Sequence, residues 1–131
     1  MPQDAKFFEM ISFRVISEIH FDGREKVVEA CVKVRIGEKT HYVVAEGDGP
    51  INALDIALRK ALLPHFPILG KVKLTDYWVH VVNGEEATAA AVEILVFTSG
   101  GDVTKGHSTN IIEASLEALV KGYKLAIQKS L

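Results

Sequence analysis

The sequence predicts an α+β fold of two repeated βββα units related by a pseudo-twofold, with antiparallel strands and helices packed on them. Three observations carry that prediction. Stretches of strict apolar/polar alternation recur in both halves of the chain, the period of a strand with one buried face. Each set of such stretches runs into a segment with apolar residues at helical spacing. Finally, a gap-free shift of 61 positions lays parts of one half on the other with residue identities in matching places.

Taken in order, Phe13, Val15, Ser17, Ile19 and Phe21 alternate with Arg14, Ile16, Glu18 and His20, and Asp22-Gly23 then reads as a tight hairpin turn. Val28, Ala30, Val32, Val34 and Ile36 make a second strand, and Thr40 to Ala45 a third after Gly37-Glu38-Lys39. Beyond Glu46-Gly47-Asp48-Gly49, Pro50 suits the first position of a helix, where its missing N–H has no intrahelical partner to lose. Ile51, Leu54, Leu58 and Leu62 lie on one face of that helix, and Pro64 and Pro67 end it.

The segment from Pro67 to Lys73 joins the halves. Tyr77, Val79 and Val81 alternate next, Asn83-Gly84 reads as a turn, Ala89 to Phe97 as a strand, and Ser99 to Asp102 as another turn. A helix begins near Asn110, with Ile112, Leu116, Leu119, Tyr123 and Ile127 on its face. The shift of 61 puts Asn83-Gly84 on Asp22-Gly23 and matches Glu86, Ala91, Ile112, Ala114, Ala118, Leu119 and Lys121 with Glu25, Ala30, Ile51, Ala53, Ala57, Leu58 and Lys60. The expected organisation is one domain over 1–131 with repeat units at about 7–66 and 68–128.

A chain of 131 residues, 48% hydrophobic and 24% charged with a net charge of −2, has the composition of an ordinary globular domain. Lys and Arg are spread rather than clustered, so no electrostatic footprint for nucleic acid is visible. The charged start of the chain resembles neither a signal peptide nor an anchor, and no apolar run approaches the ~18 residues of a membrane span. A lone Cys31 fits a reducing compartment, with cytoplasm the default, and leaves no thiolate cluster for zinc. The histidines at 20, 41, 65, 80 and 107 show no ligand spacing, so no metal and no cofactor is expected. Ser108 and Ser115 lack a nucleophile elbow, and Cys31 sits within a strand, so no catalytic residue is assigned.

Gly47 and Gly49 flank Asp48 at a strand-to-helix junction, where glycine lets a backbone approach a ligand and the helix start offers free N–H donors to a carboxylate or phosphate. The same loop also reads as a plain connection. Its counterpart, Gly106-His107-Ser108-Thr109-Asn110, is polar and again precedes a helix, with Thr109 and Asn110 equally suited to N-capping. Tyr77 and Trp78 are adjacent in one strand, so one belongs to the core while the other lines a dimer contact or a pocket.

The ordered set Gly47-Asp48-Gly49-Pro50-Ile51-Asn52-Ala53, Leu74-Thr75-Asp76-Tyr77, Thr88-Ala89-Ala90 and Asn110-Ile111-Ile112-Glu113-Ala114-Ser115 resembles the C-terminal regulatory domain of the 2-isopropylmalate and citramalate synthases, over about Phe7 to Gln128. The Leu74–Tyr77 and Asn110–Ser115 motifs look more like the citramalate branch, which favours isoleucine over leucine as effector. The resemblance implies a non-catalytic, dimerising domain of two three-stranded α+β units that mediates feedback inhibition by leucine or isoleucine. The pocket it implies lies at the dimer interface. Gly47, Gly49, Pro50 and Asn52 would meet the ligand's polar end with Ile51 beside it. Leu74, Tyr77, Val81 and Ala87 would form an apolar wall, and His107, Ser108, Thr109 and Asn110 would close the pocket. His107 would alter affinity or make binding pH-dependent.

The partner implied is the catalytic barrel of a parent acyltransferase, which takes ~250 residues and a divalent metal and is not in this sequence. Two alternatives stay open. One is a stand-alone amino-acid sensor or dimerisation module acting in trans. The other is a phosphate or nucleotide binder at Gly47–Pro50, which lacks the lysine and glycine spacing of a P-loop.

Overall fold

Alternation becomes strand and helical spacing becomes helix in the first unit, which ends at His65 in a computed structural model that describes residues 4–131. Three strands, β1 (Glu9–Glu18), β2 (Val27–Ile36) and β3 (Lys39–Glu46), precede helix α1 (Pro50–Leu62). They form an antiparallel sheet in the order β1-β2-β3. Val28, Ala30, Val32 and Val34 of the central strand are buried on the face that meets α1. Ala53, Leu54, Ala57, Leu58, Ala61 and Leu62 bury the matching stripe of the helix. At 13 residues α1 is marginal as an isolated helix, so this burial rather than propensity holds it.

The alternation expected to run through Phe21 stops at Glu18, and Phe21 lies exposed in the connection to β2. Asp22-Gly23 does turn the chain, with Gly23 at φ +92° and the Asp22 carboxylate accepting from the Arg24 backbone and guanidinium. It does so inside a connection covering 19–26 rather than as a two-residue hairpin.

The second unit begins at Phe66. A 3-10 turn (Pro67–Lys71) leads into β4 (Leu74–Val81), β5 (Val92–Thr98) and β6 (Val103–Ser108), then helix α2 (Ile111–Lys129). The sheet order is β4-β5-β6, again antiparallel. Asn83-Gly84 does not make the expected hairpin turn. Gly84–Ala89 winds as a 3-10 stretch, and β5 starts at Val92 rather than Ala89. The connection is closed by Asn83 Oδ1, which accepts from the Ala91 N–H at 2.8 Å.

Register reveals how alike the two βββα arrangements are. β1 carries an irregularity between Met10 and Ser12, and β4 carries one between Leu74 and Asp76, at the same place in the ladder. Positions in the first two strands correspond at an offset of 64, as Met10 to Leu74 and Ala30 to Ile94. The last strand and helix correspond at 61, as Gly49 to Asn110 before the two helices. Between equivalent ladder pairs, eight residues separate Lys33 from Tyr42 and five separate Phe97 from Val103, and this shorter hairpin in the second unit absorbs the difference of three. The gap-free shift therefore holds for the helices and is out of step by three in the first two strands, where Ala91 is not the counterpart of Ala30.

Each helix presses on its sheet at a point where a side chain would not fit. A Cβ on Gly106 would stand 1.8 Å from the Ala114 carbonyl oxygen of α2, and one on Gly47 would stand 2.5 Å from the Ala53 nitrogen of α1. Among the described residues no helix is long and apolar enough to cross a membrane.

Candidate functional site

The two loop-to-helix junctions are built differently. At the first, Gly49 is the N-cap of α1 with no side-chain hydrogen bond to the helix, and Pro50 occupies the first turn. Ala53 N–H bonds Gly49 O at 2.9 Å, which leaves the Ile51 and Asn52 amides without a hydrogen bond among the described residues. Asn52 instead turns its side chain back, and its Oδ1 accepts from Asp48 N–H at 3.0 Å. Lys26 Nζ holds the Asp48 carbonyl at 2.6 Å, and Gly47 N–H bonds Val28 O at 3.1 Å. Glu25, Lys26, Val27, Val28, Glu46, Gly47 and Asp48 line an open cavity of about 510 Å³ beside this loop. Gly47, Gly49, Pro50, Ile51 and Asn52 thus lie in a hydrogen-bonded loop that leads into a helix start with unbonded amides, the feature that suits an anionic group.

At the second junction the chain satisfies itself. Asn110 Oδ1 accepts from the Ile112 and Glu113 amides at 2.9 and 3.1 Å. Ser108 Oγ donates to Glu113 Oε1 at 2.9 Å and accepts from Asn110 N–H at 3.0 Å. A negative Glu113 carboxylate already stands in the first turn. Asn110 is therefore an N-cap and Thr109 an exposed loop residue, the plain alternative at this junction. His107 pairs with Glu93 on the face of the sheet opposite Ser108, and its N–H bonds the Glu117 carboxylate at 3.0 Å. The structure does not bring His107 to the face that carries Tyr77 and Val81.

Leu74, Tyr77 and Val81 do share a face, since they pair with Thr98, Val96 and Val92 on the helix-facing side of β5. Val79, opposite Ile94, belongs to the same row, as the alternation predicts, though it was not among the residues expected in the pocket wall. α2 lies over β5 and β6 and leaves β4 open. Tyr77 is 37%, Val79 48% and Val81 48% exposed on this side, and Trp78 on the other side is 56% exposed. The expectation that either Tyr77 or Trp78 is core is therefore wrong: Trp78 leans on Phe97 and donates its indole N–H to Asp76, while Tyr77 bonds to α2. Its hydroxyl lies 2.6 Å from Oγ of the fully buried Ser115. Ala87, in the exposed 3-10 stretch, has φ +52° and ψ −119°, a combination side-chain-bearing residues seldom adopt.

The Tyr77–Ser115 contact joins residues 38 apart, so sequence alone gave no signal for it. No group of three or more His, Cys, Asp or Glu side chains placed to hold a metal occurs among the described residues.

The comparison that decides the family is a profile described as the LeuA allosteric (dimerisation) domain, which matches residues 1–127. The chain belongs to this family. As a LeuA allosteric domain it is 41% identical over 128 residues to an (R)-citramalate synthase of Geobacter sulfurreducens, covering 95% of this chain and 24% of that protein. It is 43% identical to an (R)-citramalate synthase of Synechocystis, covering 76% of this chain and 19% of that protein. A 2-isopropylmalate synthase of Methanocaldococcus jannaschii is 31% identical over 82% of this chain and 20% of its own length. The higher identities thus fall on the citramalate side, as the Leu74–Tyr77 and Asn110–Ser115 motifs suggest. The chain spans about a fifth of the length of the curated relatives it matches. A solved structure of two double-stranded-RNA-binding domains with their linker covers 87% of the chain at 14% identity and a TM-score of 0.36, a likeness that carries no argument.

Proposed function

We propose that this LeuA allosteric domain binds a branched aliphatic amino acid, isoleucine in preference to leucine, and mediates feedback inhibition of a citramalate or isopropylmalate synthase to which it is joined. The observation that carries this reading is the open apolar row of β4. Leu74, Tyr77, Val79 and Val81 form a wall that the unit's own helix does not cover, and a second copy of the chain is the natural cover in a family described as dimerising. Considered by itself, the uncapped start of α1 in the first unit offers N–H donors and a partial positive charge, the features that a carboxylate seeks. The domain itself does no chemistry. The catalytic barrel of the parent enzyme joins an acetyl group to a 2-oxo acid, and the effector inhibits by binding the less active arrangement more tightly, typically with about 1–3 kcal/mol of coupling.

Calorimetric titration with isoleucine, leucine, valine and lysine, alongside sedimentation of the free and ligand-bound chain, tests the reading. Saturable binding of an aliphatic amino acid to a dimer is the expected result. No heat with any of the four, or saturable binding to a monomer, refutes it.

A further inference from the structure

We infer that Ser115 is a positioning residue that turns the Tyr77 phenol into a hydrogen-bond acceptor, so that the open face of β4 selects ligands bearing an ammonium group over the 2-oxo acids of the same carbon skeleton. This rests on the amino-acid-binding reading above and adds to it a determinant of selectivity.

A serine hydroxyl has a single proton to give. Ser115 spends its proton on the Ile111 carbonyl, 2.7 Å away and one helical turn back. The Tyr77 hydroxyl, 2.6 Å from the same Oγ, must then be the donor of that pair. Its proton points into α2, and what the phenolic oxygen has left for a neighbour is lone pairs. Ser115 is fully buried, so water does not compete for this relay, while the Tyr77 side chain remains 37% exposed on the open wall. A carboxylate or ketone oxygen, which can only accept, meets no donor at that oxygen. An ammonium group meets an acceptor, in a charge-assisted bond of the stronger kind.

The first unit supplies an internal contrast. By strand and helix register, the positions equivalent to Tyr77 and Ser115 are Phe13 and Leu54. Phe13 pairs with Val32 as Tyr77 pairs with Val96, and Leu54 is fully buried. An apolar pair serves packing in one unit. Both members carry hydroxyls in the other, which packing against a helix does not require. The discrimination matters chemically, because the proposed parent enzyme works on a 2-oxo acid, which offers hydrogen-bond acceptors in place of the ammonium group.

The test compares isoleucine with 3-methyl-2-oxopentanoate, the same skeleton without the ammonium, by calorimetry on wild type, Tyr77→Phe, Ser115→Ala and the double variant. Wild type should prefer the amino acid by about tenfold to a hundredfold. Tyr77→Phe should remove most of that preference by weakening isoleucine alone. Ser115→Ala frees the phenol to donate, so it should weaken isoleucine, strengthen the oxo acid, and add nothing once Tyr77 is Phe. Should Ser115→Ala not fold, Tyr77→Phe, which deletes one atom from an exposed side chain, decides alone. An unchanged preference in Tyr77→Phe overturns the inference and leaves the amino-acid reading standing. Failure of wild type to bind any amino acid removes both.

Discussion

Replacing Gly49 with Asn copies onto α1 the cap that α2 already possesses. Gly49 and Asn110 occupy equivalent positions, both extended, and a Cβ at Gly49 meets nothing within 4 Å. Asn110 shows what the new side chain would do, with its oxygen at 2.9 and 3.1 Å from the second and third amides of its helix. At Gly49 those amides belong to Ile51 and Asn52, the pair proposed to receive the effector carboxylate. Capping by Asn in place of Gly stabilises by only a few tenths of a kcal/mol, so the melting temperature of a unit this size should rise by about 1–4 °C. Losing charge-assisted bonds from the amides should cost the effector about tenfold or more in affinity. The diagnostic is the opposite sign of the two effects, read by differential scanning calorimetry and by titration of the same sample. Undiminished affinity in a variant whose Ile51 and Asn52 amide shifts show a formed cap would refute the placement of the carboxylate at α1.

Two more outcomes come from geometry away from that seat. Gly106→Ala places a methyl 1.8 Å from a helix carbonyl, and since backbone cannot rotate aside, α2 must retreat by roughly 1.6 Å to restore contact distance. Overpacking of this kind costs about 3 kcal/mol, and a melting temperature lowered by less than about 3 °C would contradict the close seating of α2 on β6. The Asp22 carboxyl is held below its ordinary range by hydrogen bonds from the Arg24 side chain first and its backbone second. Its contribution to stability is present above the ordinary carboxylate pKa and is lost as pH falls through the lowered one. Arg24→Ala should move the Asp22 titration upward in an NMR pH series, and an unmoved midpoint would show that the side chain is not the cause.

Five strands and both helices are legible in the sequence within a few residues because their signals are local. Val28, Ala30, Val32 and Val34 alternate without interruption, and Pro50 and Asn110 mark the helix starts by their own chemistry. Asn83-Gly84 is a strong hairpin signal, and it puts the expected start of β5 three residues early. The next five residues, Glu85-Glu86-Ala87-Thr88-Ala89, have no period that excludes a 3-10 turn. The openness of β4 could not be read from Tyr77, Val79 and Val81, since alternation says which residues share a face and not whether a helix reaches it. The loop at Gly47–Asn52 is legible as a helix start, whereas the contrast between a bare start at Gly49 and a filled one at Asn110 depends on side-chain rotamers. Tyr77 and Ser115 each stand in a recognisable motif, but only the packing of α2 on its sheet makes them neighbours.

The unequal treatment of the two helix starts bears on stoichiometry. A duplicated architecture with both starts bare would offer two similar berths per chain, and a titration would fill them in overlapping steps. Here Asn110 and Glu113 occupy one berth permanently with the protein's own groups. On the proposed reading, a ligand that needs free amides finds one open helix start among the described residues of each chain, so a departure from a simple hyperbola would point to coupling between copies.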